Sequence, residues 1–164
     1  MRRVLLVDDE QMILNVLSRV LKLGGCEVIA VSQAQAAVDA LKVQQVDLVI
    51  TDVQMTPQNG FVVLSAARAH NALLPVIVMT AFASVATAAE ALKLGAFDYV
   101  TKPIRIDDFM LTVRRALACT SFLHLNELIC SDEPIHLEFD AIVAESDGMR
   151  NVCEQIRRVA STAA

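Results

Sequence analysis

Five side chains in this sequence could do chemistry together if the fold gathered them: Asp8, Asp9, Asp52, Thr80 and Lys102. Asp52 ends the run Val46-Asp47-Leu48-Val49-Ile50-Thr51, and Asp8-Asp9-Glu10 ends the run Arg3-Val4-Leu5-Leu6-Val7. Thr80 closes Val76-Ile77-Val78-Met79, and Lys102-Pro103 follows Asp98-Tyr99-Val100-Thr101. Each group therefore stands at the carboxyl end of a short apolar stretch. Two carboxylates about 4 Å apart repel by roughly 4 kcal/mol at an effective dielectric near 20, so three together call for cations. A divalent ion with oxygen ligands and the Lys102 ammonium would supply that charge.

The elements that must position these groups follow from the apolar spacing. The uninterrupted run after Asp47 is too short for a buried helix and reads as a strand covered on both faces, the pattern of a parallel sheet. Five strand and helix repeats are expected. A helix over 10–23 carries Met12, Ile13, Val16, Leu17, Val20 and Leu21 at helical spacing and stops at Gly24-Gly25. A strand over 27–31 precedes a helix capped by Ser32 and running to Lys42, then the strand 47–51. A helix over 60–70, a strand over 75–79, a helix from Ser84 to Leu94 ended by Gly95, a strand over 98–101 and a helix from Ile106 to about Leu117 complete the series. Such alternation predicts right-handed crossovers and a doubly wound α/β sheet, whose ligands sit at the carboxyl ends of the strands where strand order reverses.

Four motifs carry a resemblance. Val7-Asp8-Asp9-Glu10, Asp52 with Met55 and Gly60 behind it, Val78-Met79-Thr80-Ala81, and Gly95-Ala96-Phe97-Asp98-Tyr99-Val100-Thr101-Lys102-Pro103 occur in this order. Together they are similar to the receiver domain of two-component response regulators. One departure is visible, since Thr56 intervenes between Met55 and Pro57 where the family has the proline directly after the methionine. The resemblance implies a five-stranded parallel sheet of the flavodoxin-like, CheY-like order 2-1-3-4-5.

It also implies roles. Asp52 would accept a phosphoryl group from a sensor histidine kinase. Asp9 and Asp52 would ligate Mg²⁺ directly, Asp8 through water, and the backbone carbonyl of Gln54 would complete the protein ligands. Lys102 would pair with one phosphoryl oxygen and Thr80 with another. Thr80 and Tyr99 would form the switch that carries the change to the fourth helix, fifth strand and fifth helix, a surface where a second copy could bind. The chain would be a regulatory phosphoacceptor rather than an enzyme, assisting its own Mg²⁺-dependent phosphorylation and dephosphorylation. Lys102-Pro103 is expected to be cis. Gln54 and Phe82 should flank the path of an attacking water, so Phe82→Asn should shorten the phosphorylated lifetime.

Composition agrees with this class. Of 164 residues, 55% are hydrophobic while aromatics are 4% and Trp is absent, which fits an aliphatic core between helices and sheet. A net charge of −5 argues against direct nucleic-acid binding by this chain. Cys26, Cys119, Cys130 and Cys153 are widely spaced with no C-x-x-C pattern, and are expected to be reduced in a cytoplasmic protein. Met1-Arg2-Arg3 precedes too few apolar residues for a secretory segment. The charge-free stretch 72–89 is broken by Pro75, Thr80, Ser84 and Thr87 and reads as strand and helix, not a membrane span. His70, His124 and His136 have no ligand partners at metal spacing and read as surface or linker residues.

Beyond residue 118 the pattern changes. Ile106, Phe109, Val113, Ala116, Thr120 and Leu123 trace a 3-4 seam that breaks at Glu127, so residues 119–138 form a partly helical linker. The seam fits a short dimerising extension of the last helix or a helix end packed on its own domain. Residues 139–164 pair Phe139-Asp140-Ala141-Ile142-Val143-Ala144-Glu145-Ser146 with a helical face of Met149, Val152, Ile156, Val159 and Ala160. This resembles the opening of the AAA+ domain of NtrC-like, sigma-54-dependent activators, with Ala144 where a glycine is usual, and it stops short of any phosphate-binding loop. Three functions are therefore carried forward. The first is a receiver (1–118) regulating sigma-54-dependent transcription through a further domain, and the second a free-standing receiver signalling to a partner or relaying phosphate. The third, a metal-dependent phosphohydrolase, wants an acid where this chain has Gln54.

Overall fold

A computed structural model describes residues 2–81 and 90–130, with side chains through Thr120. Its elements are β1 (Arg2–Val7), α1 (Gln11–Leu23), β2 (Cys26–Val31), α2 (Ala34–Val43), β3 (Leu48–Asp52), α3 (Gly60–His70), β4 (Val76–Thr80), a helical segment α4 described over 90–93, β5 (Asp98–Thr101) and α5 (Ile106–Cys130). The strands form one sheet in the order β2-β1-β3-β4-β5, and each neighbouring pair is parallel. This is the predicted doubly wound α/β sheet.

Side-chain alternation explains why the strands are apolar without interruption. Leu5 and Val7 of β1, Val49 of β3, and Val76 and Val78 of β4 pack on one face with Ala37 and Leu41 of α2, Val63, Leu64 and Ala67 of α3, and Ala91 of α4. Val4, Leu6, Leu48, Ile50, Ile77 and Met79 turn to the other face, against Leu14, Leu17 and Leu21 of α1 and Phe109, Val113 and Ala116 of α5. All five residues of β3 and all five of β4 are buried. Both strands lie inside the sheet, so water reaches neither face.

The observed boundaries differ from the expected ones in instructive places. Strand β3 runs from Leu48 rather than Asp47, because Asp47 is occupied as a polar anchor. Its carboxylate accepts from the Arg3 backbone N–H (2.7 Å) and pairs with Arg2 (3.0 Å). Ser32 does not cap α2; the N-cap is Gln33, with no side-chain capping bond. Helix α1 ends at Gly24-Gly25 as expected, and Gly25 takes the left-handed conformation (φ +84°) that closes a helix at little steric cost. Gly95 does the same after α4, at φ +91°. The expected cap Ser84 and the lifetime position Phe82 lie outside the described residues, as does everything from residue 131 onward, including Cys153, His136 and the AAA+-like segment.

Helix α5 is continuous through the expected domain boundary at 118. Phe109, Val113 and Ala116 are almost fully buried in the domain's own core and Thr120 is 6% exposed, so this part of the 3-4 seam packs on the sheet; Ile106 is 40% exposed. The Thr120 hydroxyl lies 3.2 Å from the carbonyl of Asp47 and 3.2 Å from that of Ala116, fastening the helix to the start of β3. No helix among the described residues is long and apolar enough to cross a membrane.

Among the described residues Phe109 is the bulkiest fully buried side chain. Phe109→Ala should cost about 3–5 kcal/mol of stability through lost transfer energy and the cavity left behind. Exposed Met12→Ala on α1 should change it by no more than about 0.5 kcal/mol. Urea unfolding of the two variants against the parent chain checks both values.

Candidate functional site

The sheet order places the ends of β1, β3, β4 and β5 side by side along one edge. The chain passes from β1 to β2 on one side and later to β3 on the other, so strand order reverses between β1 and β3. Asp52 is the last residue of β3, in register with Met79, and Val53 N–H continues the ladder to the Met79 carbonyl (2.9 Å). Asp8 follows β1, its N–H bonded to the Val31 carbonyl (3.3 Å). Lys102 follows β5, its N–H bonded to the Thr80 carbonyl (2.8 Å).

Three of the five sequence candidates meet directly. Lys102 Nζ lies 2.7 Å from Asp52 Oδ2 and 3.0 Å from Asp8 Oδ2. These carboxylates are 4% and 0% exposed and the lysine side chain 14%, so the pairs are buried. The other oxygen of each acid is also used. Asp52 Oδ1 accepts from Gln54 N–H (3.1 Å) and Asp8 Oδ1 from Glu10 N–H (2.9 Å). Each acid thus bonds the backbone two residues on, as Asp does in a tight turn, while turning its second oxygen to the lysine. Burial pulls the Lys102 pKa down, but its bonds to Asp52 and Asp8 outweigh that and hold the ammonium well above the ordinary lysine range. Burial pushes the Asp8 pKa up against the opposing Glu10 backbone bond and Lys102.

The structure adds one acid that the sequence reading passed over. Glu10 Oε1 lies 3.4 Å from Lys102 Nζ, and the carboxylates of Asp8, Glu10 and Asp52 offer oxygens within 4.8 Å of one another. Asp9 turns elsewhere. It is exposed, and its Oδ2 accepts from Thr56 N–H (3.3 Å), tying the loop after β3 to the loop after β1. Period-two alternation could have separated them, because in extended chain Asp8 and Glu10 share a side that Asp9 does not. Thr80 is buried at the end of β4, opposite Thr101 in register. Tyr99, on the edge strand β5, is 38% exposed. Lys102-Pro103 is cis, as the resemblance implied, and Thr56-Pro57 is cis as well.

Gly60 holds the remaining wall. Its N–H donates to the Val53 carbonyl (3.0 Å), while the Asn59 side chain caps α3 by accepting from Phe61 N–H (3.1 Å). A methyl group on Gly60 would collide with the backbone carbonyl of Asp52. The start of α3 is thus docked on the end of β3 at a distance only glycine allows.

Chemically, the edge offers hard oxygen donors in excess of positive charge, three carboxylates against one ammonium, which suits a small divalent cation. Removing the ammonium would strand two buried acids. Lys102→Met should destabilise the metal-free chain by about 3–5 kcal/mol, and adding Asp52→Asn should recover a substantial part. A double-mutant cycle of urea midpoints reads both.

Comparison with known proteins places this geometry. The response regulator receiver domain profile matches residues 4–114. The regulatory protein AtoC of Escherichia coli (strain K12) is 34% identical over 162 residues, covering 96% of this chain and 34% of AtoC. The receiver domain of the Francisella response regulator 1452 superposes with a TM-score of 0.69 at 27% identity, covering 73% of this chain and 99% of that one. NtrX from Brucella abortus, in complex with ADP, gives a TM-score of 0.72 at 25% identity, over 98% of this chain and 34% of NtrX. The chain therefore spans about a third of the length of the curated relatives it matches. The profile match runs from β1 into α5 and takes in every member of the Lys102 cluster, and the chain accordingly belongs to the receiver domain family of two-component response regulators.

Proposed function

We propose that Asp52 is the phosphoacceptor of this receiver and that Lys102 and Thr80 serve the transfer. Receiver domains are phosphorylated by histidine kinases. In that reaction an Asp52 carboxylate oxygen forms a bond to phosphorus as the phosphohistidine N–P bond breaks, and its electron pair stays on the imidazole. The observation that carries this reading is the buried Lys102 ammonium held against Asp52. It pre-positions a cation beside the oxygen that would receive a highly anionic group, where positioning and charge neutralisation provide most of the catalysis. Lys102 then pairs with a phosphoryl oxygen, and the Thr80 hydroxyl takes another.

Asp8, Asp9, Asp52 and the Gln54 carbonyl would hold Mg²⁺, with Asp9 leaving Thr56 to join; Asp8 and Asp52 already stand within the acid cluster described above. When bound, the ion supplies charge neutralisation for the phosphoryl oxygens. Thr80 and Tyr99 form the switch. Movement of the buried hydroxyl toward the new group opens space that the partly exposed ring can enter, altering the face formed by α4, β5 and α5. That face, or the helix beyond Thr120, is where a second copy associates.

Residues 1–118 constitute the receiver, 119–138 the linker and 139–164 the start of a sigma-54-interaction AAA+ domain. The output is regulation of sigma-54-dependent transcription by a further domain, in the bacterial cytoplasm. This assignment is supported by the AAA+-like residues 139–160 and by alignments to AtoC and NtrX that extend past the receiver.

Acetyl phosphate with Mg²⁺ should add one phosphoryl group, read by intact-mass spectrometry, and Asp52→Asn should take up none. Because the chain contains one Tyr and no Trp, intrinsic fluorescence reports Tyr99 alone. Beryllofluoride with Mg²⁺ should change the intensity of that emission in the parent chain and much less in Thr80→Ala. Uptake by Asp52→Asn equal to the parent's overturns the reading.

A further inference from the structure

Glu10 occupies a position whose usual local use it does not fulfil. It is the N-cap of α1, where Ser, Thr, Asp or Asn normally bonds the first free N–H groups, yet its side chain makes no capping bond. Its carboxylate points to Lys102 instead, at 3.4 Å, the longest of that lysine's three ion pairs. Departures from a local rule concentrate at functional sites. Glu10 is also unlike the other two acids in exposure: its side chain is 62% exposed, whereas those of Asp8 and Asp52 are 0% and 4%.

We propose that Glu10 is a specificity-determining residue that screens phosphodonors by charge, disfavouring free dianionic phosphate compounds at Asp52. The inference rests on Asp52 being the phosphoacceptor. An exposed carboxylate with an oxygen within 4.8 Å of an Asp52 oxygen stands beside any group that reaches Asp52 from solvent. Lys102 neutralises it least, being closer to Asp52 and Asp8. The repulsion scales with the donor's charge and is damped by salt because the site opens to water. A protein donor can offset it with interface contacts that a free small molecule lacks.

Acetyl phosphate and phosphoramidate separate charge from chemistry. At pH 7.5 the first is a dianion and the second carries a net single negative charge. With acetyl phosphate, an Asp52 oxygen bonds to phosphorus as the bond to the acetyl oxygen breaks and acetate leaves. With phosphoramidate, the P–N bond breaks and ammonia leaves from an already protonated nitrogen. Both yield the same aspartyl phosphate.

The test measures initial phosphorylation rates at sub-saturating donor with saturating Mg²⁺ for the parent chain, Glu10→Gln and Glu10→Asp, by intact mass. Glu10→Gln should accelerate acetyl phosphate about sixteenfold and phosphoramidate about fourfold at low salt, as expected for one fewer charge about 5 Å away in a water-like dielectric. The difference between donors should shrink as salt rises from low concentration to near 1 M. Glu10→Asp, which keeps the charge, should keep a donor ratio close to the parent's. Equal acceleration of both donors, or a donor difference insensitive to salt, overturns the role of Glu10 while leaving Asp52 as phosphoacceptor. Failure of both the parent chain and Glu10→Gln to take phosphate from either donor overturns both readings.

Discussion

The contact between Lys102 Nζ and the carboxylates of Asp52 and Asp8, 2.7 and 3.0 Å away, is the constraint on which the rest of this structure turns. Two buried acids next to each other are tolerable only with a cation between them, and a buried lysine only with acids. Neither half of the arrangement is independently stable. The fold must therefore deliver residues from positions 8, 52 and 102 to one point with ångström accuracy, and the parallel sheet is the device that does so. Each residue stands just at or past the end of a strand, where regular hydrogen bonding fixes the direction of the chain before it turns away.

That delivery depends on what lies beneath it. The strands carrying Asp8 and Asp52 are apolar on both faces because α1 and α5 cover one and α2, α3 and α4 the other. Lys102 follows the edge strand β5, tied in by its N–H to the Thr80 carbonyl. The same packing leaves little freedom for the strand ends to drift. Backbone N–H groups of Glu10 and Gln54 then each hold one oxygen of the two carboxylates, so main chain takes part in orienting the acids. Gly60 lets α3 close against the Asp52 carbonyl, and the functional edge is thereby built mainly from main chain.

Much of this was legible in the residues. Uninterrupted apolar runs ending in polar groups identify four strands and the side of the sheet they share, and of the five candidates at 8, 9, 52, 80 and 102 the structure brings those at 8, 52 and 102 into contact. Boundaries slipped by a residue where side chains had tertiary work. By its spacing Asp47 reads as strand although it anchors Arg2 and Arg3, and Ser32 as a cap, a position that Gln33 occupies without capping. Glu10 was missed for a different reason: three adjacent acids look equivalent in one dimension, and only the extended backbone decides which two face the lysine. The 3-4 seam of the last helix was ambiguous because a helix packed on its own sheet and one packed on a second copy use the same spacing. Burial of Phe109, Val113 and Ala116 resolves the portion through Thr120 in favour of the sheet.

The unbroken course of α5 from Ile106 to Cys130 has a mechanical corollary. Its 25 residues make a rod about 37 Å long, of which roughly 15 Å follows the Thr120 fastening. A tilt of about 5° about that fastening would displace the rod's far end by somewhat more than 1 Å, at a helical rise of about 1.5 Å per residue. The hydroxyl bridge to Asp47, with Phe109, Val113 and Ala116 seated in the core, thus sets the direction in which the last ten residues of the rod leave the sheet.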